Sequence, residues 1–273
     1  MKHPTGELSL RFRKKENGQT YLAEQYFKLP LQVMKPHYQD NDGTAFVYLL
    51  NPGGGIIQND VLYTELVLEK GSRALVTTPS TTKLYKMEDG HAELINKITV
   101  ESGAVLEYLP EHNVAFAKSE TYQETEYHLE KGAVLIASDM VTAGRVAKGE
   151  VFQYDLYASR TRIYVDGKLK VYDNSRMDPK HMNMTHLGYM EGYLTNGTIY
   201  VYADHIDDDL PQKLNAMEHN GNVVFAAGKI EDSLMIIRFL GNSIIELKEM
   251  IDAVWGQIRR ELLGKEPVRI RKY

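Results

Sequence analysis

Three short segments recur along the first half of the chain. Glu69-Lys70-Gly71-Ser72-Arg73-Ala74-Leu75-Val76 resembles Glu101-Ser102-Gly103-Ala104-Val105-Leu106, and both resemble Glu130-Lys131-Gly132-Ala133-Val134-Leu135. Their glycines are spaced by 32 and 29 residues. Each glycine follows a long strand-like run and precedes a short apolar one, so each marks a point where the chain turns from one extended segment into another. Similar units at such a period predict stacked β coils or layered sheets. Three separate hairpins that share good turn chemistry satisfy the same pattern. Stacking carries a corollary: Pro79–Lys83, Pro110–Asn113 and Ser138–Thr142 then line up along one sheet edge as a single polar surface.

Alternation of apolar and polar residues predicts strands over Ala45–Leu50, Val61–Leu68, Leu94–Val100, Thr121–Leu129 and Val151–Leu156. Eighteen tyrosines suit pleated, half-buried surfaces. Helical periodicity is missing before about residue 203. Beyond it, Ile199–Tyr202, Val223–Ala227 and Leu234–Phe239 are strand-like, and Leu210–Met217 is a short helix candidate. Residues 243–262 form one strong helix, with Ser243 placed to cap it, an apolar stripe from Ile244 to Leu262, and Gly264 to stop it. No linker separates these parts. The expectation is a mainly β protein of stacked, solenoid-like sheet layers, forming one domain over 1–273: a β body over 1–203 and a smaller α/β C-terminal layer over 204–273.

Lys and Arg number 32 against 37 Asp and Glu, and the signs are mixed along the chain. A nucleic-acid face needs clustered cations, so none is expected. Cysteine is absent, which removes disulfides, thiolate metal sites and cysteine nucleophiles. No segment has signal-peptide or membrane-span character, and a cytoplasmic protein is expected.

The stretch Asn51-Pro52-Gly53-Gly54-Gly55-Ile56-Ile57-Gln58-Asn59-Asp60 places three permissive residues between apolar runs, so backbone must pass close to a strand, a ligand or a partner. It lacks the Lys-Ser/Thr of a phosphate-binding loop and precedes a strand rather than a helix. Any nucleotide the biology needs comes on another protein. The acids Asp60, Glu107, Asp139, Glu150 and Asp173 fall near predicted strand ends; each is either a solvated strand-end acid or part of a carboxylate site. Asp139 closely follows an apolar run, where a desolvated acid needs a partner, and Arg145 is the candidate. His181, Met182, Met184 and His186 offer soft ligands or, alternatively, an adaptable protein-binding surface, which is the reading preferred for 177–190. No serine, lysine or histidine sits in a nucleophile motif, so no catalytic residue is assigned.

Four segments in register resemble the urease accessory protein UreD family, also called UreH. They are Leu50–Ile57 with Asp60, Thr77–Tyr85, Leu106–Glu111, and Gly144-Arg145 with Gly149–Phe152. The resemblance implies a non-enzymatic protein with stacked sheets and a few helices. It would bind UreF, reach the GTPase UreG through UreF, dock on apo-urease and help deliver nickel, with no tightly bound cofactor. It further suggests Asp60, Asp139 and Asp173 as points on a transient nickel passage, shaped by Lys83, Tyr85, Arg145 and Glu150. Gly53, Gly54 and Gly55 would then be a structural turn, and Met182, Met184 and His186 a partner interface. The chain departs from the family pattern at Gly53, where a second proline is usual, at Gln58-Asn59, and at Asp173, where Glu is commoner. A β-solenoid carbohydrate enzyme or sugar-binding module working through paired carboxylates is the competing expectation.

Overall fold

The computed structural model describes residues 3–219, 221–268 and 270. The chain opens with an antiparallel hairpin, β1 (Gly6–Lys14) and β2 (Thr20–Lys28), followed by β3 (Gln32–Val33) and β4 (Ala45–Leu50). From there it winds between two sheets. Strand β5 (Val61–Leu68) joins one and β6 (Arg73–Thr77) the other, with β7 (Thr82–Leu84) at the rim. The next coil repeats this with β8 (Ala92–Val100), β9 (Val105–Leu109) and rim strand β10 (Asn113–Ala115). A third coil supplies β11 (Glu120–Leu129) and β12 (Val134–Thr142). Then come β13 (Leu156–Val165), β14 (Lys168–Met177), β15 (Thr195–Tyr202), helix α1 (Leu210–Asn215), β16 (Val223–Glu231), β17 (Leu234–Gly241) and helix α2 (Ile244–Leu263).

The result is a seven-stranded sheet ordered β14-β13-β11-β8-β5-β1-β2, facing a ten-stranded one ordered β16-β17-β15-β12-β9-β6-β4-β3, with β7 and β10 attached at its rim. Successive coils pair in parallel within each sheet, and antiparallel strands finish the outer ends. The repeat is therefore a stack. Its glycines, at φ of 70°, 72° and 87°, turn the chain between the sheets in a region that only glycine enters at little cost. The glutamates of the second and third repeats each accept a backbone N–H from the turn before them: Lys70 donates to Glu101 and Ser102 to Glu130, both at 2.9 Å. The three rim segments align, Asn113 lying between Thr82 and Val141 in parallel register.

The smaller C-terminal layer with its long helix is present, its strands β16 and β17 continuing the ten-stranded sheet through β15 and its helices forming a cover. Two expectations need correction. Residues 151–155 are a bend, with Phe152 at φ 52°, and the strand starts at Leu156. The second concerns the methionines: Met177, Met184 and Met190 are buried in an apolar cluster with Tyr154 and Tyr157, so they fill space rather than present a surface.

Helix α2 lies on the outer face of the ten-stranded sheet and buries Leu247, Ile251, Val254, Trp255 and Ile258 against Phe46, Leu75, Ile136 and Val201. Ser243 stands at its N-cap position but makes no side-chain cap bond, and Gly264 ends it at φ 62°. One charge sits inside this apolar contact. Glu107 shares a cross-strand row with Phe46, Leu75, Ile136, Val201 and Met235 and is 1% exposed. Trp255 donates to it at 2.7 Å, and the Nε of Arg259, one helical turn on, at 3.0 and 3.1 Å. Arg259, itself 0% exposed, also donates to Asp40 and to the backbone carbonyl of Glu266.

Candidate functional site: a polar cavity between the sheets

Most of the space between the sheets is filled by leucine, isoleucine, valine and aromatic side chains. One part is hollow, with a volume of about 360 Å³. Its mouth is the polar rim, Asn51, Gly54, Gly55, Thr78–Lys83 and Pro110-Glu111. Its interior is lined by Tyr108, Gln123, Tyr127, Asp139 and Tyr200, among others.

The floor of this hollow has a pattern that sequence reasoning missed. On the inward face of the seven-stranded sheet, Thr64, Asn96, Thr125, Thr161 and Asp173 occupy one register across β5, β8, β11, β13 and β14. The next row along the strands, Leu66, Ile98, Tyr127, Ile163 and Val171, is apolar and buried. At about 4.8 Å per strand the polar row spans roughly 19 Å. Asn96 donates to Thr125 at 3.2 Å. A signal for the row was present: Thr64, Asn96 and Thr125 each lie seven residues before a repeat glycine.

Asp139 enters from β12 on the opposite sheet. Gln123 and Ser159 both donate to its Oδ2, at 3.2 and 3.3 Å. The Gln123 amide is held in that orientation because its oxygen accepts from Asn113 and Tyr157, at 2.9 and 3.2 Å. Protein surrounds Asp139 on all sides, although part of its surface faces the hollow. Burial pushes its carboxyl above the ordinary value; the bonds from Gln123, Ser159 and the Met140 backbone pull it back, and the charge of Asp173 pushes it up further.

Asp173 lies one step beyond the hollow. The hydroxyl of Tyr200, whose ring lines the cavity, donates to its Oδ2, and Arg238 donates to the same oxygen at 2.7 Å. Burial and then the Asp173 charge push the Tyr200 phenol well above its usual value.

The other expected residues lie elsewhere. Asp60 closes the glycine turn, accepting from the Ile57 backbone at 3.0 Å and from the Thr5 hydroxyl at 3.2 Å, and it does not line the cavity. Lys83 is exposed at the mouth. Tyr85 donates to the Gly54 carbonyl at 3.2 Å. A Cβ on Gly55 would stand 2.4 Å from the Tyr85 ring and 2.6 Å from the Lys83 carbonyl oxygen, so the glycine turn serves close approach to a neighbouring strand. Gly54 supplies a φ of 78°, while Gly53 has no such need. Arg145 is not the partner of Asp139. It pairs with Glu150 at 2.9 Å and lies over the Phe116 ring, 4.1 Å from its centroid, because the Gly144–Gly149 turn folds it back on itself. Glu150 also accepts from the Ala117 backbone at 3.2 Å. In the 177–190 segment Met184 is buried and Met182 half-buried. The exposed tip is His186, Leu187 and Tyr189, with Leu187 at 87% exposure.

Among the described residues no three of His, Asp and Glu converge as a metal cage. Nor is any helix among them long and apolar enough to cross a membrane.

The family model described as UreD urease accessory protein matches residues 4–272. A protein from Lachnoclostridium phytofermentans named urease accessory protein UreD is 31% identical over 275 residues, covering all of both chains. Proteins of the same name from Acetivibrio thermocellus and Bacillus sp. strain TB-90 are 31% and 32% identical, covering 88% and 98% of this chain and 92% and 99% of their own.

Proposed function

This chain belongs to the UreD family of urease accessory proteins, which gives it a part in urease maturation, and we propose that it passes nickel ions through the polar hollow between its sheets. The reading is supported above all by the row Thr64, Asn96, Thr125, Thr161 and Asp173. Placing five polar side chains in line on an inward face, three of them buried and two half-buried, beside an apolar row costs free energy unless something polar runs along them. Hydroxyl, amide and carboxylate oxygens suit a hydrated divalent ion. They are spaced along a line instead of converging, so an ion meets them in turn and is held tightly by none. Asp139 then supplies the one cavity-facing charge near the middle, and Asp173 a second at the far end.

In this reading the chain works as a scaffold and metallochaperone rather than an enzyme. It binds UreF, reaches UreG through it, and docks the set on apo-urease. The exposed tip at Leu187 and Tyr189, rather than the buried methionines, is the part of the 177–190 segment able to meet a partner. Asp60 serves the rim turn and acts on the passage only through the shape of its mouth.

The test is Asp139→Asn, with Asp60→Ala as comparison, in cells producing urease under limiting nickel. Loss of urease activation by Asp139→Asn, with co-purification of the accessory complex unchanged, is the expected result. Full activation by Asp139→Asn with normal complex formation overturns the passage.

A further inference from the structure

The far end of the hollow is shut, and the way it is shut points to a control on movement through it. The edge strand β14 of one sheet faces the β16–β17 end of the other there, and two ion pairs bridge the gap: Asp173 with Arg238 of β17 at 2.7 Å and Lys170 with Glu231 of β16 at 3.0 Å. Behind the first pair stands Tyr200, its ring lining the cavity and its hydroxyl on the oxygen that Arg238 also binds. Any species that follows the polar row from Thr64 to Thr161 arrives at this oxygen.

We propose that Arg238 is a displaceable plug: it occupies Asp173 while the hollow holds no cation and swings into solvent when a divalent cation reaches that carboxylate. The inference rests on the cation-passage reading and adds its regulation. Arg238 and a divalent ion cannot share the Asp173 Oδ2 site, because both are cations and both need the same lone pairs. The two partners are also unequally free. Asp173 is 15% exposed, whereas the Arg238 side chain is 50% exposed and, among the described residues, held besides only by Thr198, at 3.2 Å. Release therefore moves the arginine, whose long stem lets its charged head reach water. Tyr200 stays behind as a neutral ligand, its proton held firmly by the burial that pushes its phenol up. The plug lets the carboxylate remain paired in the resting protein, with no bare charge at the end of the row.

The experiment uses the purified full-length chain and Ni²⁺ alone, followed by equilibrium dialysis, on wild type, Arg238→Gln, Asp173→Asn and Asp139→Asn. Removing the competing guanidinium is expected to tighten Ni²⁺ binding by about two- to fivefold, the factor by which an ion pair with a half-exposed arginine holds a site against a competitor, while Asp173→Asn weakens it. Opposite signs are the signature, since both substitutions break the same ion pair and a purely structural role would move them together. Thermal melting of each variant establishes that it is folded. Unchanged Ni²⁺ affinity in folded Arg238→Gln, or equal changes in both variants, overturns the plug. If Arg238→Gln leaves affinity unchanged but Asp139→Asn still abolishes urease activation, the plug falls and the passage stands. If Asp139→Asn activates urease normally, the passage itself falls.

Discussion

Arg259→Met tests whether the charge cluster under α2 is a structural clasp. Arg259 is wholly buried and its guanidinium serves three acceptors at once: Glu107, Asp40 and the Glu266 carbonyl. Burial pushes the Glu107 carboxyl up, and Arg259 and Trp255 offset that only in part. Taking away the arginine leaves a carboxylate in an apolar row with one indole N–H for company. Breaking such a buried pair costs about 3–5 kcal/mol, a large part of a typical ~5–15 kcal/mol stability. At about 2–4 °C per kcal/mol for a chain of this size, the melting temperature should fall by roughly 6–20 °C. Replacing both charges behaves differently. Glu107→Leu with Arg259→Met restores an unbroken apolar row between Leu75 and Ile136, so the double variant should lose at least about 2 kcal/mol less than the two single losses combined. Urea denaturation of the four proteins measures the cycle. A single-variant cost under about 1 kcal/mol, or simple additivity, would refute the clasp.

Other outcomes follow from the same geometry. Asp139 is raised by burial, so its neutral form favours the fold. Its destabilising effect should appear as pH rises from the ordinary carboxylate value of 3.8 through the raised one and stay constant above. The stability of Asp139→Asn relative to wild type should therefore climb from pH 4 toward neutrality; a flat difference in urea midpoints would count against a desolvated carboxylate. Gly55→Ala forces the Lys83 carbonyl and Tyr85 ring to shift and should cost about 1–3 kcal/mol, read as a lower urea midpoint. Gly103→Ala, at φ 72°, should cost about 1–2 kcal/mol through backbone conformation alone, and no loss there would mean that the stacked turns tolerate strain.

The coil stack was legible because its signal is local: a glycine and a glutamate at each turn, at a near-constant interval, serve the backbone of the adjacent coil. The strong helix was legible for the same reason, its apolar stripe and Gly264 both lying within the segment. What stayed hidden depends on which strands become neighbours. Thr64, Asn96, Thr125 and Thr161 are unremarked singly, and only parallel registration brings them into a row. The proximity of Arg145 to Asp139 in sequence suggested a pair, but a turn at Gly144 directs the arginine to Glu150 instead. Methionine at 184 reads the same in a flexible surface and in a core, and neighbours such as Tyr154 decide which it is.

The partners in the clasp, Glu107 and Arg259, are separated by 152 residues. Synthesis at about 5–20 residues per second puts roughly 8–30 s between the emergence of one and of the other. The coils pair with near neighbours and can assemble as they leave the ribosome, yet the part of the outer face around Glu107 has no cover until α2 arrives. Until then Phe46, Leu75 and, once each has been made, Ile136 and Val201 stand in the open around an unpaired Glu107. A chain truncated before residue 244 would hold that state indefinitely, sticky on one broad face, and its fate in the cell would be set by how soon something else binds there.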